Sequence, residues 1–170
     1  NMKLLFISLG CDKNLVDSEE MLGMLAADGH EIVDDEDEAE VIIVNTCCFI
    51  GDAKEESVNT ILEMAEKKKA GTCKVLIVTG CMAQRYKKEI SEEIPEVDAI
   101  LGTTSYGDIS KAVKEAQAGR HFEEYKSIDF LPDISGKRML TTGGHFAYLK
   151  IAEGCDKHCT YCIIPRLRGG

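Results

Sequence analysis

The chain has 170 residues, 44% hydrophobic and 29% charged, with eight cysteines, no tryptophan and a formal net charge of -10. That length holds one α/β domain of ordinary size plus a short remainder, and the composition excludes disordered and fibrous classes. No apolar run approaches the ~20 residues of a membrane span, and the acidic balance disfavours a broad phosphate-binding face on this part of the molecule.

Asn1 ahead of Met2 reads as a residue left by an expression tag. "KLLFISLG", which follows, is an apolar run of strand length ending in glycine; with Cys11 it also has the outline of a short lipoprotein signal, but its apolar core is at the lower limit for one. "NLVDSEEMLGMLAADG" then places Val16, Met21, Leu22 and Leu25 on one helical face, with Gly29 as the stop. "HEIVD" is a short second strand. "DDEDEAE", residues 34 to 40, reads as a solvated turn.

"VIIVNT" is a third strand, apolar on both sides, which belongs in the middle of a parallel sheet. "DAKEESVNTILEMAEKKKAG" is a helix with acids early and lysines late, the arrangement the helix dipole favours. "KVLIVTG" gives a fourth strand, "MAQRYKKEISEEI" a helix closed off by Pro95, "DAILG" a fifth strand and "YGDISKAVKEAQAG" a last helix. Repeated βα units predict a five-stranded parallel sheet with helices on both faces, a flavodoxin-like three-layer αβα domain over residues 2–119. Residues 120–145, with Pro132 and scattered Gly, Ser and Thr, read as a linker, after which "HFAYLKIAEGC" resumes as one strand.

Three cysteines fall at equivalent places on this scaffold. Cys11, Cys47 and Cys81 each follow a strand, 36 and 34 positions apart. In a parallel sheet all carboxyl ends lie on one edge, and the strand order 2-1-3-4-5 makes strands one, three and four neighbours at ~4.8 Å. Three convergent thiolates suit an iron-sulfur cluster with one open iron better than a four-ligand structural zinc; a set of small buried hydrophobes is the competing meaning. Gly10 and Gly80 precede two of these cysteines and would let backbone approach a bulky group. Cys48 points to the opposite side from Cys47, and Cys73 precedes the fourth strand at the other edge. Without an export signal, eight cysteines point to reduced thiols or metal ligands in the cytoplasm.

Cys155, Cys159 and Cys162 form C-x3-C-x2-C on one loop, compact enough to wrap three corners of a cubane cluster; zinc with His158 as a fourth ligand is the competing metal. Arg166 and Arg168 follow; an exposed basic segment is their commoner meaning, contact with a bound ligand or substrate the other.

With Tyr161 before its last cysteine, "GCDKHCTYCIIPRLRG" resembles the motif of the radical S-adenosylmethionine enzymes. Together with "SLGCDKNLVDSEEMLGML", "VNTCCFI" and "VTGCMAQRY" it resembles the methylthiotransferases, and among them the subgroup that modifies an aspartate of a small-subunit ribosomal protein. The resemblance implies one 4Fe-4S cluster on Cys155, Cys159 and Cys162 that chelates S-adenosyl-L-methionine. It implies a second 4Fe-4S cluster on Cys11, Cys47 and Cys81 that carries or relays sulfur. The activity implied is radical transfer of a methylthio group to the β-carbon of the aspartate, with a ribosomal protein as partner and no membrane.

Cys48 departs from the family, which usually has Gly there, and could compete with Cys47 for iron. The resemblance also makes residues 146–170 the first strand and cluster loop of a truncated radical S-adenosylmethionine barrel, so that the fragment alone is expected to be inactive, its exposed cysteine loops to lose their clusters in air, and its unpaired strand to be disordered or to borrow a partner, a second copy included. Two other functions remain open: methylthiolation of a transfer RNA adenosine, and a non-catalytic iron-sulfur electron-transfer or sensing module.

Overall fold

The computed structural model describes residues 1–49, 51–128, 130 and 138–170. Six strands form one parallel sheet among these residues: β1 (Lys3–Ser8), β2 (Glu31–Ile32), β3 (Val41–Thr46), β4 (Val75–Gly80), β5 (Ala99–Leu101) and β6 (Phe122–Glu124), in the order β2-β1-β3-β4-β5-β6. The central strands β3 and β4 are buried at every position, as their unbroken apolar runs require.

Successive side chains go to opposite faces, so each strand feeds two cores. Leu5, Ile42, Val44, Leu76, Val78 and Ile100 pack with Ile61 and Met64 of α2 (Gly51–Lys69) and with Met82 and Ile90 of α3 (Cys81–Arg85) and α4 (Lys87–Glu93). Leu4, Val41, Ile43, Val75, Ile77 and Leu101 pack with Met21 and Leu25 of α1 (Asp12–Ala27) and with Ile109, Ala112 and Val113 of α5 (Ile109–Gln117). The result is the three-layer αβα arrangement expected from the βα repeats.

The sheet has one strand more than the five expected. β6 lies within the stretch read as a linker and pairs parallel with β5, Ala99 opposite Phe122 and Leu101 opposite Glu124. Three residues, "FEE", carry no strand-length apolar signal; the open edge of β5 supplies the hydrogen bonds that recruit them, and Phe122 packs partly buried against the α5 side. Pro132 and its neighbours at 131–137 lie outside the described residues, so the linker expectation there has no structural counterpart to set beside it.

Two helices also differ in detail. The run read as one helix from Met82 breaks at Tyr86, whose φ of -118° and ψ of 30° separate α3 from α4. Arg85, its neighbour in the chain, and Lys54 of α2 lie over the Tyr86 ring at 5.1 and 4.3 Å, so one of the two contacts comes from outside its own segment. Ahead of α5, residues Tyr106–Asp108 form a 3-10 turn.

The expected strand in "HFAYLKIAEGC" does not form: residues 146–152 carry no ladder pairing. The segment is not paired with a strand of this chain among the described residues. It lies along α1 with Lys150 turned inward, while Leu149 and Ile151 face outward, 82% and 90% exposed. A buried ion pair takes the place of the missing ladder.

The stability of this scaffold rests on the two central strands. Ile77→Ala, at a fully buried site, is expected to cost about 2–5 kcal/mol, read as a lower urea midpoint with an unchanged m-value.

Candidate functional site

The carboxyl edge of β1, β3 and β4 is where the first cysteine group sits. β1 pairs with β3 from Leu4–Val41 to Ser8–Asn45, and β3 with β4 from Val41–Val75 to Thr46–Gly80, so all three strands end within two residues of a common line. Cys11 is the residue at which α1 begins, Cys47 follows β3 directly and Cys81 opens α3. Cys11 is exposed; Cys47 and Cys81 are buried at 3% and 7% exposure.

A network of polar side chains holds this edge in place beneath the thiols. The Asn14 amide donates to the carbonyls of Leu9 at 3.0 Å and Thr46 at 2.7 Å, tying the β1–α1 loop to the end of β3. Asn45 Nδ2 donates to the Asn14 carbonyl and to Ser18 Oγ, and Ser18 Oγ donates in turn to Ser8 Oγ at 2.8 Å. Ser57 of α2 brackets Cys47: its hydroxyl accepts the Cys47 N–H at 3.0 Å and donates to the Cys47 carbonyl at 2.8 Å. Each buried polar group here has its partner, which makes the edge rigid.

The two glycines serve approach within the chain. At Gly10, φ is +90° and an added Cβ would lie 2.4 Å from Cys47 Cβ and 2.7 Å from Cys47 Sγ. At Gly80, φ is +96° and the same atom would lie 2.4 Å from the Thr46 carbonyl oxygen. Both positions therefore exclude a side chain, Gly10 because Cys47 packs flat against it and Gly80 because β4 crosses the end of β3 there.

Burial pushes the Cys81 thiol up from its ordinary value; the Arg168 guanidinium pulls it down, and the charges of Cys47 and Cys11 push it up again. Cys48 is pushed up to about 11 by burial first and by Cys81, with Arg85 opposing. It belongs to the α2-side core with Cys81, whereas Cys47 faces Gly10, so the adjacent pair splits to two sides as alternation demands. Cys73 is buried ahead of β4, its thiol donating to the Val75 carbonyl.

The second group is brought to this same edge. The short helix α6 (Ile164–Arg168) follows Cys162 and packs against α3; Leu167 enters the α2-side core, and its carbonyl accepts from the Thr103 hydroxyl at 2.8 Å. Cys155 donates its N–H to the Gly169 carbonyl at 3.0 Å, and Gly154 leaves no room for a Cβ, which would lie 2.0 Å from Gly169 O. Beyond that closure, His158, Cys159, Tyr161, Cys162, Pro165 and Arg166 line a concavity of about 650 Å³. Cys159 and Tyr161 are exposed, and Cys155 and Cys162 half-buried.

Arg168 corrects the expectation of an exposed basic segment. Arg166 is exposed, but Arg168 is 2% exposed, its guanidinium donating to Asp17 at 2.7 Å, Glu153 at 2.7 Å and Asn14 Oδ1 at 2.6 Å. Lys150 donates to the same two acids, Asp17 at 2.5 Å and Glu153 at 2.7 Å. Further along α1, the Glu19 carboxylate accepts from Arg138 Nε at 2.5 Å and from both the N–H and the hydroxyl of Thr141 at 2.9 Å.

None of these acids stood out in the sequence. For Asp17 and Glu19 the signal available was "DSEE", three acids near the middle of a helix whose apolar positions already account for one face; Glu153 had none.

Among the described residues no three Cys, His or acidic side chains close around a single metal ion. The chemistry of the donor set, thiols only and three per site, at the ends of separate strands in the first site and on one loop in the second, suits an iron-sulfur cluster.

A parallel sheet bearing cysteines at three adjacent strand ends is the class of domain found here. The chain belongs to the family described as uncharacterized protein family UPF0004, whose profile matches residues 3–102, more than half of the chain. It is 63% identical over 168 residues to a protein of Lachnoclostridium phytofermentans named ribosomal protein uS12 methylthiotransferase RimO, the match covering 99% of this chain and 38% of that protein. Proteins of the same name from Clostridioides difficile and Trichlorobacter lovleyi are 52% and 50% identical, over 99% and 98% of this chain and 38% and 37% of their own lengths. The chain thus spans well under half of the curated relatives it matches.

Two outcomes are expected at this site. Gly10→Ala must displace Cys47 and strain the backbone, lowering stability by about 2–4 kcal/mol; an unchanged urea midpoint would contradict the packing described. Burial pushes Glu19 up, but the Thr141 N–H, Arg138 and the Thr141 hydroxyl together hold it below the ordinary glutamate value. Its contribution to docking of residues 138–141 is therefore present above that ordinary value and is lost as pH falls through the lower folded one. The Thr141 amide resonance should titrate in that acid range and cease to do so in Glu19→Gln.

Proposed function

We propose that the chain is the amino-terminal part of a radical S-adenosylmethionine methylthiotransferase that adds a methylthio group to the β-carbon of an aspartate in ribosomal protein uS12. The activity is proposed for the whole protein, of which the matched relatives are more than twice as long. One observation carries the reading: Cys11, Cys47 and Cys81 stand at the ends of β1, β3 and β4, and the loop of Cys155, Cys159 and Cys162 is tied to that same side of the sheet through Leu167 and Arg168. The names of the relatives support methylthio transfer and uS12, while the radical chemistry and the aspartate β-carbon rest on the resemblance of the cysteine motifs.

In this reading Cys11, Cys47 and Cys81 hold one 4Fe-4S cluster, and Cys155, Cys159 and Cys162 the other. When bound, the clusters and S-adenosylmethionine supply the electron, the radical and the sulfur that let an unactivated carbon exchange hydrogen for a methylthio group. The chain's own contribution is placement. Ser57 fixes the backbone of Cys47, and Asn14 fixes the loops that carry Cys11 and Cys47. Leu167 seals the inner side of Cys81 from water by entering the core beside it.

The open side of the second group is the 650 Å³ concavity, where Tyr161 and Arg166 stand beside Cys159 and Cys162. An exposed aromatic ring and a guanidinium there suit a ligand with a base to stack and a carboxylate to pair. S-adenosylmethionine carries both.

Anaerobic reconstitution of the chain should give about eight irons, two four-iron clusters, falling to about four in Cys11→Ala, Cys47→Ala or Cys81→Ala and again to about four in Cys155→Ala. Cys73→Ala should leave the count unchanged, because its thiol lies in the core ahead of β4. A wild-type chain that takes up no iron would end the proposal. Modification of transfer RNA but not of uS12 by the whole enzyme would redirect the substrate.

A further inference from the structure

Asp17, Arg168, Glu153 and Lys150 form a closed ring of alternating charge. Each carboxylate bridges both cations, with the four contacts between 2.5 and 2.7 Å, and no member has a side chain more than 9% exposed. The ring joins three places in the chain: α1, the segment just ahead of Cys155, and the residue that ends α6. Glu153 stands two positions before Cys155 and Arg168 six after Cys162, so the ring grips the second cysteine loop at both of its ends.

Four further contacts draw the ring tight. Lys13 Nζ donates to the Glu153 carbonyl, Arg168 Nη2 to Asn14 Oδ1, Cys155 N–H to Gly169 O, and the Lys150 ammonium lies 5.3 Å over the Tyr106 ring. The helix that Arg168 ends packs against α3, which Cys81 opens, and Leu167 beside Arg168 shares a core with Cys81.

Sequence position alone gave no reason for two cysteine groups about seventy residues apart to keep a fixed relation. An apolar contact would hold the loop down but would allow it to slide, whereas a forked guanidinium between two carboxylates and an amide has a single geometry that satisfies all its donors. Removing one partner leaves the other three buried with one charge uncompensated, which works strongly against the docked arrangement.

We propose that Asp17 and Arg168 are positioning residues that bolt the Cys155–Cys162 loop to the sheet edge and fix its register against Cys81. A second consequence rests on the proposed function: Arg168 sets the reduction potential of the cluster on Cys11, Cys47 and Cys81 upward by placing positive charge against the helix that Cys81 opens, and Asp17 acts on that potential only by aiming Arg168.

The test uses the 170-residue chain carrying Asp17→Asn, Arg168→Gln or Arg168→Lys. Without iron, amide exchange at Cys155 should accelerate roughly a hundredfold in all three, while amides of β3 and β4 stay protected and certify the fold. Unchanged exchange at Cys155 with the sheet intact would overturn the positioning role; this readout needs no cluster and stands even if the chain binds none.

With iron, in a background in which Cys155, Cys159 and Cys162 are alanine, Arg168→Gln should lower the midpoint potential of the remaining cluster at unchanged iron content, and Arg168→Lys should lower it less. Removing the negative charge of Asp17 would by itself raise that potential. A lower potential in Asp17→Asn, in the same direction as Arg168→Gln, therefore supports aiming. A raised or unchanged one shows that Asp17 acts only as a nearby charge and overturns its assignment. Failure of the wild type to bind iron counts against the proposed function and leaves the exchange result to decide the positioning role.

Discussion

Everything at the candidate site depends on the parallel register of β1, β3 and β4. Backbone pairing sets Ser8 against Asn45 and Thr46 against Gly80, and from those two pairs the positions of Cys11, Cys47 and Cys81 follow within a few residues of chain. A slip of one residue would exchange the two faces of a central strand and move its cysteine away from the common edge. Leu5, Ile42 and Leu76 on one side and Leu4, Val41 and Val75 on the other prevent that slip, because each face has its own helices to fill. The packing of an apolar core thus decides where the reactive sulfurs stand.

Above that core the character of the protein changes. The first half of α1 buries Asn14, Asp17, Ser18 and Glu19, residues that would ordinarily face water. Each is satisfied by a partner distant in sequence: Thr46, Arg168, Asn45 and Thr141. The helix therefore uses its apolar positions to join the domain and its polar ones to receive the segments that come after it. This division explains how residues 138–152 can lie on the domain without forming a strand, and why Leu149 and Ile151 remain uncovered while Lys150 between them is not.

Burying four charges is costly, and a ring of this kind contributes little net stability compared with well-packed hydrophobic residues of the same volume. What it gives instead is direction. Burial alone would lower Lys150, yet Asp17 and Glu153 hold it above its ordinary value, and burial alone would raise Glu153, yet Lys150 and Arg168 hold it below. Both stay charged because the pairing is mutual. A hydrophobic seal on the edge, provided by Leu167, and an ionic one, provided by Arg168, are adjacent in the chain and serve different ends: the first excludes water, the second fixes orientation.

The βα alternation, the two fully buried central strands and the delivery of Cys11, Cys47 and Cys81 to one edge were all determined by the sequence itself, since apolar runs of strand length and the spacing between them are local properties. So was the compact second trio, Cys155, Cys159 and Cys162, whose spacing lies within nine residues. The sixth strand was not, because "FEE" has no preference of its own and pairs only when β5 offers an edge. Nor was the fate of "HFAYLKI", which has strand composition but meets α1 in place of another strand. The burial of Arg168 and its acids lay furthest beyond reach: a charged residue reads as exposed until its partners are known, and Asp17 lies 151 residues away from Arg168. Only the closed fold brings such groups within hydrogen-bonding distance, and that distance decides whether a charge faces water or holds two parts of a protein together.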